Sequence, residues 1–157
     1  MALPAHHYAR AALKAELHVQ VEVVEVVLPA VTPGNAWVTG RIARVFKGKP
    51  GFLSSRVTFE VPCRRPGDSP PPSGIRWKDT EALEKAAVME VYLTPHEGRY
   101  HVAGYSTVLL EAVTDEPQRT FTEEDGQPPV PPRARIPRWG VLLLIAAGAL
   151  AAFLVIS

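Results

Sequence analysis

The 157-residue chain has one cysteine, Cys63. A lone thiol excludes an intrachain disulfide framework and any multi-cysteine zinc site. The chain also has little net charge, +1 in total, which by itself predicts no polyanionic partner. It contains no P-loop and no dinucleotide fingerprint. Ser106, His101 and Asp115 supply the residue types of a hydrolytic triad, but the G-x-S-x-G elbow is missing. His6 and His7 are adjacent, and His96 and His101 flank a predicted turn, yet no H-x-x-x-H, H-E-x-x-H or Cys/His spacing occurs. These gaps predict a protein that is not an enzyme and carries no cofactor and no structural metal. Cys63 sits in a Cys63-Arg64-Arg65 run. Such cations can lower a thiol pKa, although an incidental loop cysteine is the plainer reading.

Without disulfides, the folded part must rest on its own apolar core. The length allows one domain plus an appendage, and a domain of roughly 100 residues is a marginal size for a single core. The 16 prolines are about twice the usual share. Their clustering marks connections rather than a disordered whole.

The longest uncharged run closes the chain, WGVLLLIAAGALAAFLVI from Trp139 to Ile156. As a helix it would be about 27 Å long, close to the thickness of a bilayer core. A single transmembrane helix is therefore expected over residues 139–156, with Trp139 and Gly140 at the interface. Ala147 and Ala151 share one face of that helix, as do Gly148 and Ala152, and small residues so spaced let another helix approach closely. Alanine and glycine also simply fill apolar spans. Arg133, Arg135 and Arg138 precede the run and only Ser157 follows it, so the positive-inside rule places the preceding domain in the cytoplasm. Met1 to Gln20 shows no apolar signal core. Together these features describe a tail-anchored, single-pass protein. Were a signal segment to precede this start, the domain would lie outside. Richness in Ala, Pro, Val and Arg hints at a high-GC bacterium, hence at its inner membrane.

Upstream, residues 1–17 form a lead-in, helical over 5–17. His18 to Leu28 alternates Val19, Val21 and Val23 with Gln20 and Glu22, the pattern of a half-buried strand. The phase breaks at Val23-Val24, where a bulge is expected. Ala36 to Phe46 is a second strand, with Gly40 at a sharp bend, and Arg56 to Val61 is a third. Pro62 to Gly74 reads as a loop. Thr80 to Ala87 is a short helix capped by Asp79. Two strands follow, Val88 to Leu93 and Tyr100 to Val113, joined by a turn over 94–99. Residues 117–138 read as a proline-rich spacer in polyproline II form.

Strand, strand, strand, helix, strand, strand is the order of an OB-fold. The expected class is mainly β: a five-stranded OB-like barrel over residues 18–116 with one short helix, followed by the C-terminal transmembrane helix. The stretch Val38-x-Gly40-Arg41-Ile42-x-Arg44-Val45-Phe46-Lys47-Gly48 resembles the second strand of netrin-like domains, the group that includes the tissue inhibitors of metalloproteases. The resemblance spans about residues 15–115 and implies a barrel used for binding. Those inhibitors use an N-terminal Cys-x-Cys wedge and several disulfides. This chain has neither, so metalloprotease inhibition does not carry over.

Charge is unevenly spread. Arg41, Arg44, Lys47, Lys49, Arg56, Arg64, Arg65, Arg76 and Lys78 crowd the middle of the chain, opposed there only by Glu60 and Asp68. On an OB-like barrel this segment includes the usual binding strands, with Trp37 and Trp77 nearby. Three partners suit such a face. Anionic lipid would contribute about 1 kcal/mol per Lys or Arg. The second is an acidic subunit of a membrane complex. The third, single-stranded nucleic acid, fits worst, because no RNP-type aromatic motif occurs. The nine residues could also be spread over a solvated surface. The leading expectation is a non-enzymatic accessory or interaction subunit bound to a bilayer and to a larger membrane complex. The alternative is a membrane-tethered module that binds a ligand or senses one on its basic face.

Overall fold

Alternating valines build the first strand, and the chain then coils around them. The computed structural model describes residues 3–70 and 73–130. Helix α1 (Ala5–Lys14) leads into β1 (Leu17–Val27), β2 (Gly34–Lys47) and β3 (Arg56–Arg64). A two-residue strand, β4 (Lys78–Asp79), runs straight into helix α2 (Thr80–Lys85), and β5 (Val88–His96) and β6 (Arg99–Leu110) complete the order.

Antiparallel pairs join β1 to β2, β2 to β3, β1 to β5 and β5 to β6. A short parallel pairing of β3 with β6, Phe59 opposite Tyr100 and Glu60 opposite His101, closes the ring. The result is a closed five-stranded barrel of mainly β structure, compatible with an OB-like fold. β4 sits beside the end of β3, with Cys63 opposite Lys78.

Leu17, Val19, Val21, Val38, Ile42, Phe59, Met89, Val91 and Leu93 fill the barrel, and Leu83 of α2 reaches the same core. Each fully buried side chain of this kind contributes roughly 1.5–3 kcal/mol. Long β2 serves both halves by pairing with β1 and β3 along its length, and it passes close to β1 at Gly40. A Cβ there would lie 2.4 Å from the Glu22 carbonyl oxygen, so only glycine fits. The β1 register slips between Val23 and Glu25, where the valine alternation breaks, and Val24 turns outward at 68% exposure.

Three boundaries differ from the sequence reading. β3 runs on through Pro62, Cys63 and Arg64, because Asn35 and Gly34 of β2 extend the ladder alongside them. Cys63 is therefore a buried strand residue, not a loop thiol. Burial pushes its pKa up, partly offset by a backbone hydrogen bond from Ala36. The β5–β6 turn shrinks to Glu97-Gly98, whose φ values of 47° and 78° are those of a tight hairpin turn.

The third difference is the spacer. Its opening residues lie against the barrel instead of extending from it. The Gln118 and Arg119 backbone N–H groups bond Glu90 of β5, Phe121 packs on Tyr92, Ala12 and Ala15, and Arg10 of α1 bonds the Gly126 carbonyl. Polyproline geometry needs an uninterrupted proline run, and that run starts only at Pro128. The expected transmembrane segment and its flanking arginines lie outside the described residues. Among the described residues no helix is long and apolar enough to cross a membrane.

Candidate functional site

The outer surface of β2, β3 and β6 is built from the residues that alternate with the core. Register sets them in rows. Trp37 stands opposite Val27 on one side and Glu60 on the other, and Glu60 stands beside His101. Thr39 faces Glu25 and Thr58, and the two threonine hydroxyls are 3.1 Å apart. Arg41 faces Glu22 and Arg56, and its guanidinium donates to Glu22 at 3.0 Å.

The tight turn after His96 folds the β5–β6 hairpin over the first row. Arg99 stacks its guanidinium 4.6 Å from the Trp37 ring centroid, and the His96 and His101 rings lie 4.4 Å apart. These groups, with Glu60, Glu97 and Tyr100, enclose a groove of about 440 Å³. Asn35 donates an amide hydrogen bond to Glu60 at 3.2 Å, fixing one wall. A smaller hollow of about 190 Å³ shares Glu60 and His101 and leads toward Tyr105. The groove thus combines a stacked aromatic, an imidazole pair and charges of both signs. That mixture suits recognition of polar and aromatic groups. Among the described residues no group of three or more His, Cys, Asp or Glu is placed to hold a metal ion.

The opposite outer face, on β1 and β5, is covered. Glu90 is only 1% exposed, and both carboxylate oxygens are fully engaged. Oε1 accepts from His18 Nε2 at 3.0 Å and from the Arg119 N–H at 2.9 Å. Oε2 accepts from Gln20 Nε2 at 2.9 Å and from the Gln118 N–H at 2.8 Å. Burial alone would raise the Glu90 pKa. The four donors outweigh it and hold the carboxyl below its ordinary 4.5. Burial holds His18 below 6.5 despite its bond to Glu90, so a neutral imidazole donates to a charged carboxylate. Tyr92 stacks on His18 at 3.9 Å and donates its hydroxyl to the Arg119 carbonyl. Burial, then the Glu90 charge, push its phenol up to about 12. With every acceptor position used, this cluster has no room for a substrate proton. It acts as a clasp that holds residues 114–121 on the barrel.

The nine sequence-selected cations do not form one sheet of charge. Arg41 and Arg56 share the open face, interleaved with Glu22, Glu25 and Glu60. Farther along β2, Arg44 pairs with Asp115 and Lys47 donates to the Leu13 carbonyl. Lys49 lies in the β2–β3 connection, and Arg64 is 3.7 Å from Asp79. The Arg65 N–H bonds the Asp68 side chain. Arg76 stacks on Tyr8, and Lys78 lies in β4. The triad types are also dispersed. Ser106 Oγ is buried without a hydrogen-bond partner, Asp115 pairs with Arg44, and His101 stands in the groove.

Arg99, Tyr100, Glu90 and Arg119 escaped the sequence reading. A glutamate inside the apolar run Val88-Met89-Glu90-Val91 was the available signal for the clasp. Arg99 carried none, because only the hairpin brings it over Trp37. No protein-family model matches the chain, and no relative is found among curated proteins.

Proposed function

We propose that the chain is a non-enzymatic binding subunit, with its barrel docking a partner protein and residues 139–156 anchoring it in a bilayer. One observation carries the docking reading: of two outer faces with similar polar composition, only the Trp37 face is left open, and it holds the groove. Trp, Tyr and Arg are the side chains that dominate binding energy at protein interfaces. The anchor reading rests on the uncharged Trp139–Ile156 run, and the cytoplasmic side on Arg133, Arg135 and Arg138. The strand-two motif over Val38–Gly48, within a closed five-stranded barrel, supports kinship with netrin-like domains at the level of the scaffold.

Affinity purification of the full chain from detergent-solubilised membranes tests this reading. A stoichiometric partner should co-purify with the native chain and be lost with Trp37→Ala. A strictly monomeric protein, or one whose partner is indifferent to Trp37→Ala, overturns it. A second reading, capture of a small molecule, draws on the groove volume of about 440 Å³, inside the usual range for ligand pockets. In that case Trp37 fluorescence responds to the ligand and no partner protein is retained.

A further inference from the structure

Three cations gather where α1, β4 and the chain beyond β6 meet, away from the Trp37 groove. Arg76 lays its guanidinium 4.3 Å above the Tyr8 ring. Arg119 lies 5.3 Å from the Phe121 ring, and Phe121 packs on Ala12. Tyr8 and Ala12 are one turn apart on the buried side of α1, so the two guanidinium groups ride on neighbouring supports. Lys78 follows Arg76 by two residues and is held in place by the Cys63–Lys78 pairing.

The backbones that carry these groups are fixed. Tyr8 donates its hydroxyl to the Gly74 carbonyl at 2.5 Å, just before Arg76. The Arg119 N–H bonds Glu90, and its carbonyl accepts from Tyr92. All three side chains are half-buried. None of them has a carboxylate ion-pair partner among the described residues, although four ion pairs form elsewhere. The charges act on one another: burial, then Arg119 and Arg76, lower the Lys78 pKa, and burial, then Arg76, lower that of Arg119. Partly desolvated like charges on rigid supports are unfavourable unless an anion joins them.

We infer that Arg76, Lys78 and Arg119 form a binding site for a doubly charged phosphate group. Two planar guanidinium forks and one ammonium match the oxygens of such a group. The phosphate can come from a free phosphate compound or from a lipid headgroup, and the two share this chemistry.

The test uses the full chain in neutral detergent. Inorganic phosphate should raise the thermal midpoint and saturate at millimolar concentration, whereas chloride at matched ionic strength should not. Lys78→Met and Arg119→Gln should each reduce the shift, and the double variant should abolish it. In phosphate-free buffer Lys78→Met should melt no lower than the parent, since it removes a like charge. Broadening of the phosphate ³¹P resonance by the parent protein provides a readout that needs no variant. Short-chain phosphatidic acid against phosphatidylcholine separates the sources: a larger shift with phosphatidic acid than with inorganic phosphate assigns a headgroup, and an equal shift assigns free phosphate. Equal effects of phosphate and chloride, no broadening, or a full shift in the double variant would each overturn the proposal.

Discussion

The two outer faces of this barrel carry similar residues and behave in opposite ways. On β1 and β5 the outward set is His18, Gln20, Glu90 and Tyr92, all buried. On β2, β3 and β6 it is Trp37, Thr39, Glu60 and His101, all at least partly exposed. Strand alternation puts both sets outside the core. What separates them is cover: α1 and residues 114–121 lie over the first face, and nothing among the described residues lies over the second. The covered face has every polar atom of Glu90 satisfied, as burial requires. The open face keeps unused donors and acceptors around a groove, as binding requires. Polar composition alone therefore does not mark a site; the availability of its hydrogen-bonding groups does.

The largest expected effect comes from breaking the clasp. Glu90→Ala strands two side-chain and two backbone donors that now converge on the carboxylate. A loss of about 3–5 kcal/mol is expected in urea unfolding. Phe121→Ala removes only the apolar seat of the same segment on Tyr92 and Ala12. It should cost about 1–2 kcal/mol and speed amide exchange at Gln118 and Arg119.

Acid should loosen the covered face in two stages. His18 has a folded pKa below its ordinary 6.5, so its contribution is complete above that value and is lost as pH falls through the lowered one. Glu90 is likewise held below 4.5, and its contribution is lost only on further acidification. Urea midpoints measured from about pH 7.5 down to about pH 4 should show both stages, with His18→Gln removing the first.

The smallest effects belong to the open face. The Arg41–Glu22 pair is exposed on both sides, at 62% and 43%, and Arg41→Ala should change stability by no more than about 0.5 kcal/mol. Trp37→Ala should leave the unfolding transition nearly in place while abolishing partner retention. A large stability loss from Trp37→Ala would erase the distinction between the faces.

Much of the barrel is legible in sequence because period-2 alternation is a local signal. Val19, Val21, Val57, Phe59 and Val61 announce their strands, and the break at Val23-Val24 announces the register slip. β3 escaped at its end because Pro62 reads as a terminator. Nothing local shows that β2 continues beside it to Gly34. The nine cations were visible as a set but not as a surface. Strand closure brings Glu22 and Glu25 of β1 next to Arg41 and Thr39, and those acids lie outside the counted segment. Arg119 was invisible as the third member of a cation cluster because about forty residues separate it from Lys78, and only the Glu90 clasp brings it back.

By itself the sequence determined the strand and helix order, the apolar alternation that fills the barrel, the lack of disulfides and the uncharged run over 139–156. These follow from near-neighbour periodicity and composition, which need no knowledge of what lies across the fold. Only the tertiary structure decided which polar face is sealed, which cations meet and where the groove opens. Burial and charge proximity depend on distant segments arriving at the same place, and no local pattern records that arrival.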